Sequence, residues 1–137
     1  MKKNDAPENK FSEQVRRLAE GLLYISETDA GIVPFDGNRA EAVTKDEILR
    51  QTEQPAETPV EERSFDEIFF RLTKIQDWFG DEEKETAQKF LGLKNFLEQN
   101  LKDLKVFKVG HIQLKIYFVG LDSDGNLKGI QTEAVET

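Results

Sequence analysis

The C-terminal part of the chain constrains its fold most tightly. Lys105 to Val109 and His111 to Val119 are runs rich in β-branched and aromatic residues, parted only by Gly110, and a third run extends from Leu127 to Glu136. Within the second run Ile112, Leu114, Ile116 and Phe118 alternate with Gln113, Lys115 and Tyr117. That is the period of a strand with two unlike faces, one apolar and one polar. Asp122-Ser123-Asp124-Gly125-Asn126 carries turn chemistry between the second and third runs. Strands joined by so little chain pair antiparallel, so a three-stranded meander is expected here.

The preceding sequence reads as helices. Phe11, Val15, Leu18, Ala19 and Leu22 recur at helical spacing from about Phe11 to Leu22, with Gly21 placed as a C-terminal cap. The apolar Leu22-Leu23-Tyr24-Ile25 is expected to pack inward before Ser26-Glu27-Thr28-Asp29 returns to the surface. Gly31-Ile32-Val33-Pro34-Phe35 is a short strand candidate, followed by a turn signal at Asp36-Gly37-Asn38. Thr44 with Glu47 and Ser64 with Glu67 have capping-box spacing, and Val43 and Ile48 occupy staple positions. They predict helices at about Lys45–Gln51 and from Phe65, whose Phe65, Ile68, Phe69 and Leu72 face the core. Val60 to Arg63 is a second brief strand candidate. Asp81-Glu82-Glu83 suits the first turn of the longest helix, which carries an apolar stripe of Ala87, Phe90, Leu91, Leu93, Leu97 and Leu101.

Helices ahead of a meander argue an α+β domain layered as helix, sheet, helix: an α/β/α sandwich whose mainly antiparallel sheet has about four strands flanked by about four helices. At 137 residues one domain is expected over 1–137, flexible at 1–8 and with a polar loop at 52–59.

Composition removes several function classes. There is no cysteine, which excludes thiol nucleophiles and cysteine-bound metals. Acidic residues outnumber basic ones 27 to 19, for a net charge of -8, the opposite of what a phosphate backbone attracts. The surface suits a basic protein instead, or simply keeps the domain soluble. With no apolar run of membrane length and no leader pattern, a cytoplasmic protein is expected. His111 stands alone without a nucleophile nearby. Asp122, Asp124 and Asn126 have the first spacings of a calcium loop, but Leu127 replaces the required glycine, so the segment reads as a turn. Neither a phosphate-binding glycine loop nor a distinctive carboxylate pair occurs. No catalytic residue and no cofactor is assigned.

Two features remain. Glu136 and the last residue, Thr137, gather a carboxylate, a hydroxyl and a terminal carboxylate, hard oxygens that suit Mg²⁺ or Ca²⁺. Trp78, the only tryptophan, sits beside Gln76 and Asp77 between two helices. It is either packed in the core with Phe79 or the aromatic anchor of an interface.

Three segments together resemble the nuclease A inhibitors, proteins that block a sugar-non-specific DNA/RNA endonuclease. They are Gly21-Leu22-Leu23-Tyr24-Ile25-Ser26-Glu27, Gln76-Asp77-Trp78-Phe79-Gly80-Asp81-Glu82-Glu83, and Asn126-Leu127-Lys128-Gly129-Ile130 with Val135-Glu136-Thr137. The likeness is weakest from about Thr28 to Val60. The resemblance implies an α/β/α sandwich without catalytic activity, acting by substrate mimicry as a monomer in a 1:1 complex. Thr137 would then approach the catalytic Mg²⁺ of the partner, Glu27 would take the place of a substrate phosphate against an arginine, and Gln76, Asp77 and Trp78 would supply packed contacts beside Glu136. The alternative on the same scaffold is an acidic adaptor for another basic protein. Neither nucleic acid nor membrane is expected as a partner.

Overall fold

The computed structural model of the chain describes residues 7–137. Its elements run α1 (Pro7–Ala19), β1 (Leu23–Ile25), β2 (Asp29–Gly31), β3 (Val33–Arg39), α2 (Lys45–Gln51), β4 (Val60–Ser64), α3 (Phe65–Thr73), α4 (Asp81–Asn100), β5 (Lys102–His111), β6 (Gln113–Leu121) and β7 (Asn126–Val135). Of the stretch expected to be flexible, residues 1–6 lie outside the described residues, while Pro7 and Glu8 open α1. A proline suits a first helical position because its missing N–H is one the helix leaves unpaired there.

The meander forms as expected, and it is the middle of a larger sheet. Five strands lie in the order β3-β7-β6-β5-β4, every neighbouring pair antiparallel, with β1 and β2 forming a separate hairpin. The fold is α+β, with five strands in the main sheet where about four were expected, because both short candidates joined it at opposite edges. Pro34 does not end β3, since an edge strand tolerates a residue that donates no ladder bond.

Each sheet face has its own apolar cluster. Val106, Ile116, Phe118, Ile130 and Ala134 pack with residues of α1, α3 and α4, among them Val15, Phe69 and Leu97. Phe107, Val109, Tyr117, Val119 and Leu127 pack instead with Phe35, Val43 and with Ile48 and Leu49 of α2. Tyr117 therefore departs from the polar face assigned to it: Gln113 and Lys115 are exposed, but farther along the strand the same side is covered by α2. Leu91 likewise leaves the expected stripe of α4 and is exposed, while Ala87, Phe90, Leu93 and Leu97 are buried.

Local chemistry explains the helix starts. Thr44 Oγ1 accepts from the Glu47 N–H at 3.1 Å, and Ser64 Oγ from the Glu67 N–H at 3.2 Å. The return half of the first box is not made. Glu47 turns to Gln51 and Arg50 instead. Asp36-Gly37-Asn38 is not a turn but part of β3, where the register slips between Asp36 and Arg39. Gln51 of α2 secures that irregularity: its Oε1 accepts from the Asn38 N–H at 2.7 Å and its Nε2 donates to the Asn38 carbonyl at 3.0 Å. A Cβ on Gly37 would lie 2.3 Å from Gln51 Oε1, so the glycine allows this close approach.

Candidate functional site

The site is built where the last strand leaves the sheet. Leu22 to Ile25 was expected to be buried throughout. Through β1 and the residue before it the chain alternates: Leu22 and Tyr24 are buried, whereas Leu23 and Ile25 face outward, Ile25 being 72% exposed. β1 returns as β2 through Ser26, Glu27 and Thr28. Ser26 makes this tip rigid, its N–H donating to the Thr28 carbonyl at 2.9 Å and its hydroxyl to the same carbonyl at 3.1 Å.

The same tip grips the end of the chain. The Val135 N–H donates to Ser26 Oγ at 3.0 Å, and the Glu27 N–H donates to the Val135 carbonyl at 3.2 Å. From the other side the Glu136 N–H donates to the Ile112 carbonyl at 2.9 Å, next to the tip joining β5 and β6. Deeper in, Thr132 Oγ1 donates to the Gly31 carbonyl at 2.9 Å. Residues 135 to 137 thus pass between two hairpin tips, each of which bonds their backbone.

Two predicted site residues then meet. Glu27 Oε2 accepts from the Thr137 hydroxyl at 2.7 Å and from the Thr137 N–H at 2.8 Å. Both donors favour the charged form, the hydroxyl more strongly, and hold the Glu27 carboxyl below the usual carboxylate range. With its proton committed to Glu27, Thr137 Oγ1 keeps its lone pairs for an electrophile, and Glu27 Oε1 stays free for a second donor. The pair is exposed to solvent.

Glu136 has an internal partner. Both its carboxylate oxygens lie 3.1 Å from Lys108 Nζ, and the lysine side chain is only 8% exposed. Lys108 sits on β5, a strand assigned only from its apolar residues, and its role had no sequence signal beyond a lysine inside a strand. Burial, and next the nearby Glu136 charge, push the Tyr24 hydroxyl up, while Arg71 and Arg63 act in the opposite direction. The phenol thus feels charges from β1's surroundings on three elements: the chain's end, β4 and the last turn of α3.

That last turn leads to Gln76, Asp77 and Trp78. Trp78 is 73% exposed, although its ring meets Phe79 edge-on at 4.7 Å between centroids, so it is not a core residue. The Phe79 N–H donates to the Gln76 carbonyl at 3.0 Å, closing the loop that displays Asp77 and Trp78. Phe70 and Ile75 nearby in sequence are also exposed, and neither stands out in the sequence, because an apolar residue's exposure depends on whether another element covers it. Among the described residues, no hydrogen bond or ion pair joins this loop to Glu27 or Thr137. The structure brings Glu27, Glu136 and Thr137 together and places Gln76, Asp77 and Trp78 in a second segment, at the end of α3.

Other candidates resolve differently. Asp122 Oδ1 accepts the N–H groups of Asp124 and Asn126, each at 2.9 Å, and its Oδ2 lies 3.3 Å from Lys128 Nζ, so the segment forms the hairpin turn read from sequence. No group of three or more His, Cys, Asp or Glu residues suited to a metal occurs among the described residues. Nor is any described helix long and apolar enough to cross a membrane.

A model of the family described as nuclease A inhibitor-like protein, NuiA, matches residues 9–137, nearly the full length that carries these features. The chain belongs to that family. No curated protein matches the chain. Membership in the nuclease A inhibitor-like family implies a nuclease inhibitor, and hence a nuclease as protein partner and a non-catalytic role. The match also covers the segment from Thr28 to Val60, where the sequence likeness is weakest.

Proposed function

We propose that this protein blocks the active site of a sugar-non-specific, metal-dependent DNA/RNA nuclease by presenting acidic and hydroxyl oxygens in place of a substrate phosphodiester. The observation that carries the reading is the Glu27–Thr137 pair, an exposed carboxylate that accepts from both the hydroxyl and the N–H of Thr137 at the end of a strand anchored on both sides. A nuclease site gathers a divalent ion and basic residues around a phosphate. Thr137 Oγ1 offers lone pairs to that ion, and Glu27 Oε1 is free to pair with an arginine. The Mg²⁺ stays in the partner's site, since Thr137 Oγ1 leaves most of its coordination to other ligands. Trp78, Gln76 and Asp77 add the packed part of the interface, and the net charge of -8 steers association with a basic cleft. The complex is 1:1, and the inhibitor acts as a cytoplasmic monomer with no cofactor of its own.

Titrating the protein into DNA and RNA cleavage by a non-specific Mg²⁺ nuclease from the same source tests this. Stoichiometric inhibition is expected. Thr137→Ala and Glu27→Ala should each weaken it by about 30-fold or more, the scale of an interface hot spot. Full potency in both variants would end the proposed mechanism while leaving inhibition itself intact.

A further inference from the structure

Two exposed apolar residues near the Glu27–Thr137 pair belong to neither apolar cluster of the fold. Ile25 immediately precedes the Ser26–Thr28 tip and is 72% exposed. Ile112 lies at the opposite tip, between His111 and Gln113, which pair with one another, and it is 44% exposed. Its φ is 64°, a left-handed conformation that a β-branched residue enters only with strain, and a position where Asn or Gly would serve a turn better. Its carbonyl accepts the Glu136 N–H while its side chain stays outside both apolar clusters. A strained, solvent-facing isoleucine contributes little to folding, so its side chain is explained better by what it meets.

Position supplies the rest. The tail is bonded to the Ile112 backbone on one side and to the Ser26–Glu27 backbone on the other, so the two isoleucines stand on opposite flanks of residues 135–137. Thr137 continues from that tail and is held by Glu27. We propose that Ile25 and Ile112 are binding residues of the same surface, two apolar flanks that close on the rim of the partner's cleft and exclude water from the Glu27 and Thr137 oxygens. The occupant is a concave basic protein surface holding a divalent ion, its rim apolar. The exposed carboxylates select its charge, and the isoleucines require apolar walls beside it. Excluding water strengthens the central charge contacts, as neutral residues around a hot spot do. This inference rests on the function proposed above.

Ile112→Asn and Ile25→Ser test it, each measured for unfolding midpoint and for inhibition of the Mg²⁺ nuclease, with Glu27→Ala alongside. Asn adopts positive φ readily, so the Ile112→Asn protein should unfold at an equal or higher midpoint and yet inhibit about tenfold less well, the loss expected for one aliphatic side chain no longer buried. Ile25→Ser should keep its midpoint and lose inhibition similarly. If both variants inhibit like the unaltered protein while Glu27→Ala is impaired, the flanking role is wrong and the nuclease reading stands. If the unaltered protein fails to inhibit, both fall together.

Discussion

Lys108 and Glu136 form a one-sided ion pair: the ammonium is almost wholly inside the protein, while 40% of the glutamate side chain remains exposed. Removing the two partners therefore has unequal consequences. Glu136→Ala strands a buried charge and should destabilise the fold by about 2–4 kcal/mol, whereas Lys108→Met removes the charge that needed compensation and should cost under about 1 kcal/mol. Denaturant unfolding of the two variants checks the asymmetry. Equal losses would mean that the pair behaves as a surface contact.

Trp78→Ala should separate binding from stability. Its ring is largely in solvent and meets Phe79 edge-on. The unfolding midpoint should change by less than about 0.5 kcal/mol equivalent, while affinity for the target nuclease should fall about 30-fold if the residue anchors the interface. Calorimetry on the free and bound proteins reads both quantities.

The Glu27–Thr137 contact should weaken in acid. The Thr137 hydroxyl and then its N–H hold the Glu27 carboxyl below the usual range. A depressed carboxylate contributes fully above its ordinary value and progressively less as pH falls through the lowered one. The side-chain carboxyl resonance of Glu27 should therefore titrate with a midpoint below that of an ordinary glutamate. A midpoint at the ordinary value would mean that the hydrogen bonds do not persist in solution.

Gly129→Ala should be severe although nothing functional is touched. A Cβ there would lie 1.8 Å from the Phe118 carbonyl oxygen, within the ladder that joins β6 to β7. Backbone cannot yield as a side-chain end does, so a loss of about 3 kcal/mol or more is expected, read by thermal unfolding. Because β7 carries the tail, inhibition should fall in step with folding.

The sequence made local structure readable and left tertiary choices open. The bounds of α2, the caps at Thr44 and Ser64 and the hairpin at Asp122–Asn126 follow from side chains acting on their own backbone. Thr137 stands out by its oxygens, whereas Glu27 enters only through the resemblance, since no local pattern links residues 110 positions apart. Leu22 to Ile25 misled because four adjacent apolar residues suit a buried segment as well as an alternating strand whose second face happens to be bare. Asp36-Gly37-Asn38 has turn composition, and only Gln51 arriving from α2 makes it an irregular strand. Trp78 could not be placed by chemistry that favours cores and interfaces alike.

β7 lies between β3 and β6, and the register of β3 on β7 joins residues near position 33 to residues near position 130. Contacts of such sequence separation form against a large loop-closure entropy and slow the folding of the chains that depend on them. The meander of β5 to β7 closes through short turns, but the Glu27 tip reaches the tail only after the N-terminal segments have docked. A fragment or a partly folded chain would carry the meander without the paired oxygens. Inhibition should therefore emerge on the timescale of the slowest folding phase, and refolding followed by nuclease activity would time the arrival of the binding surface itself.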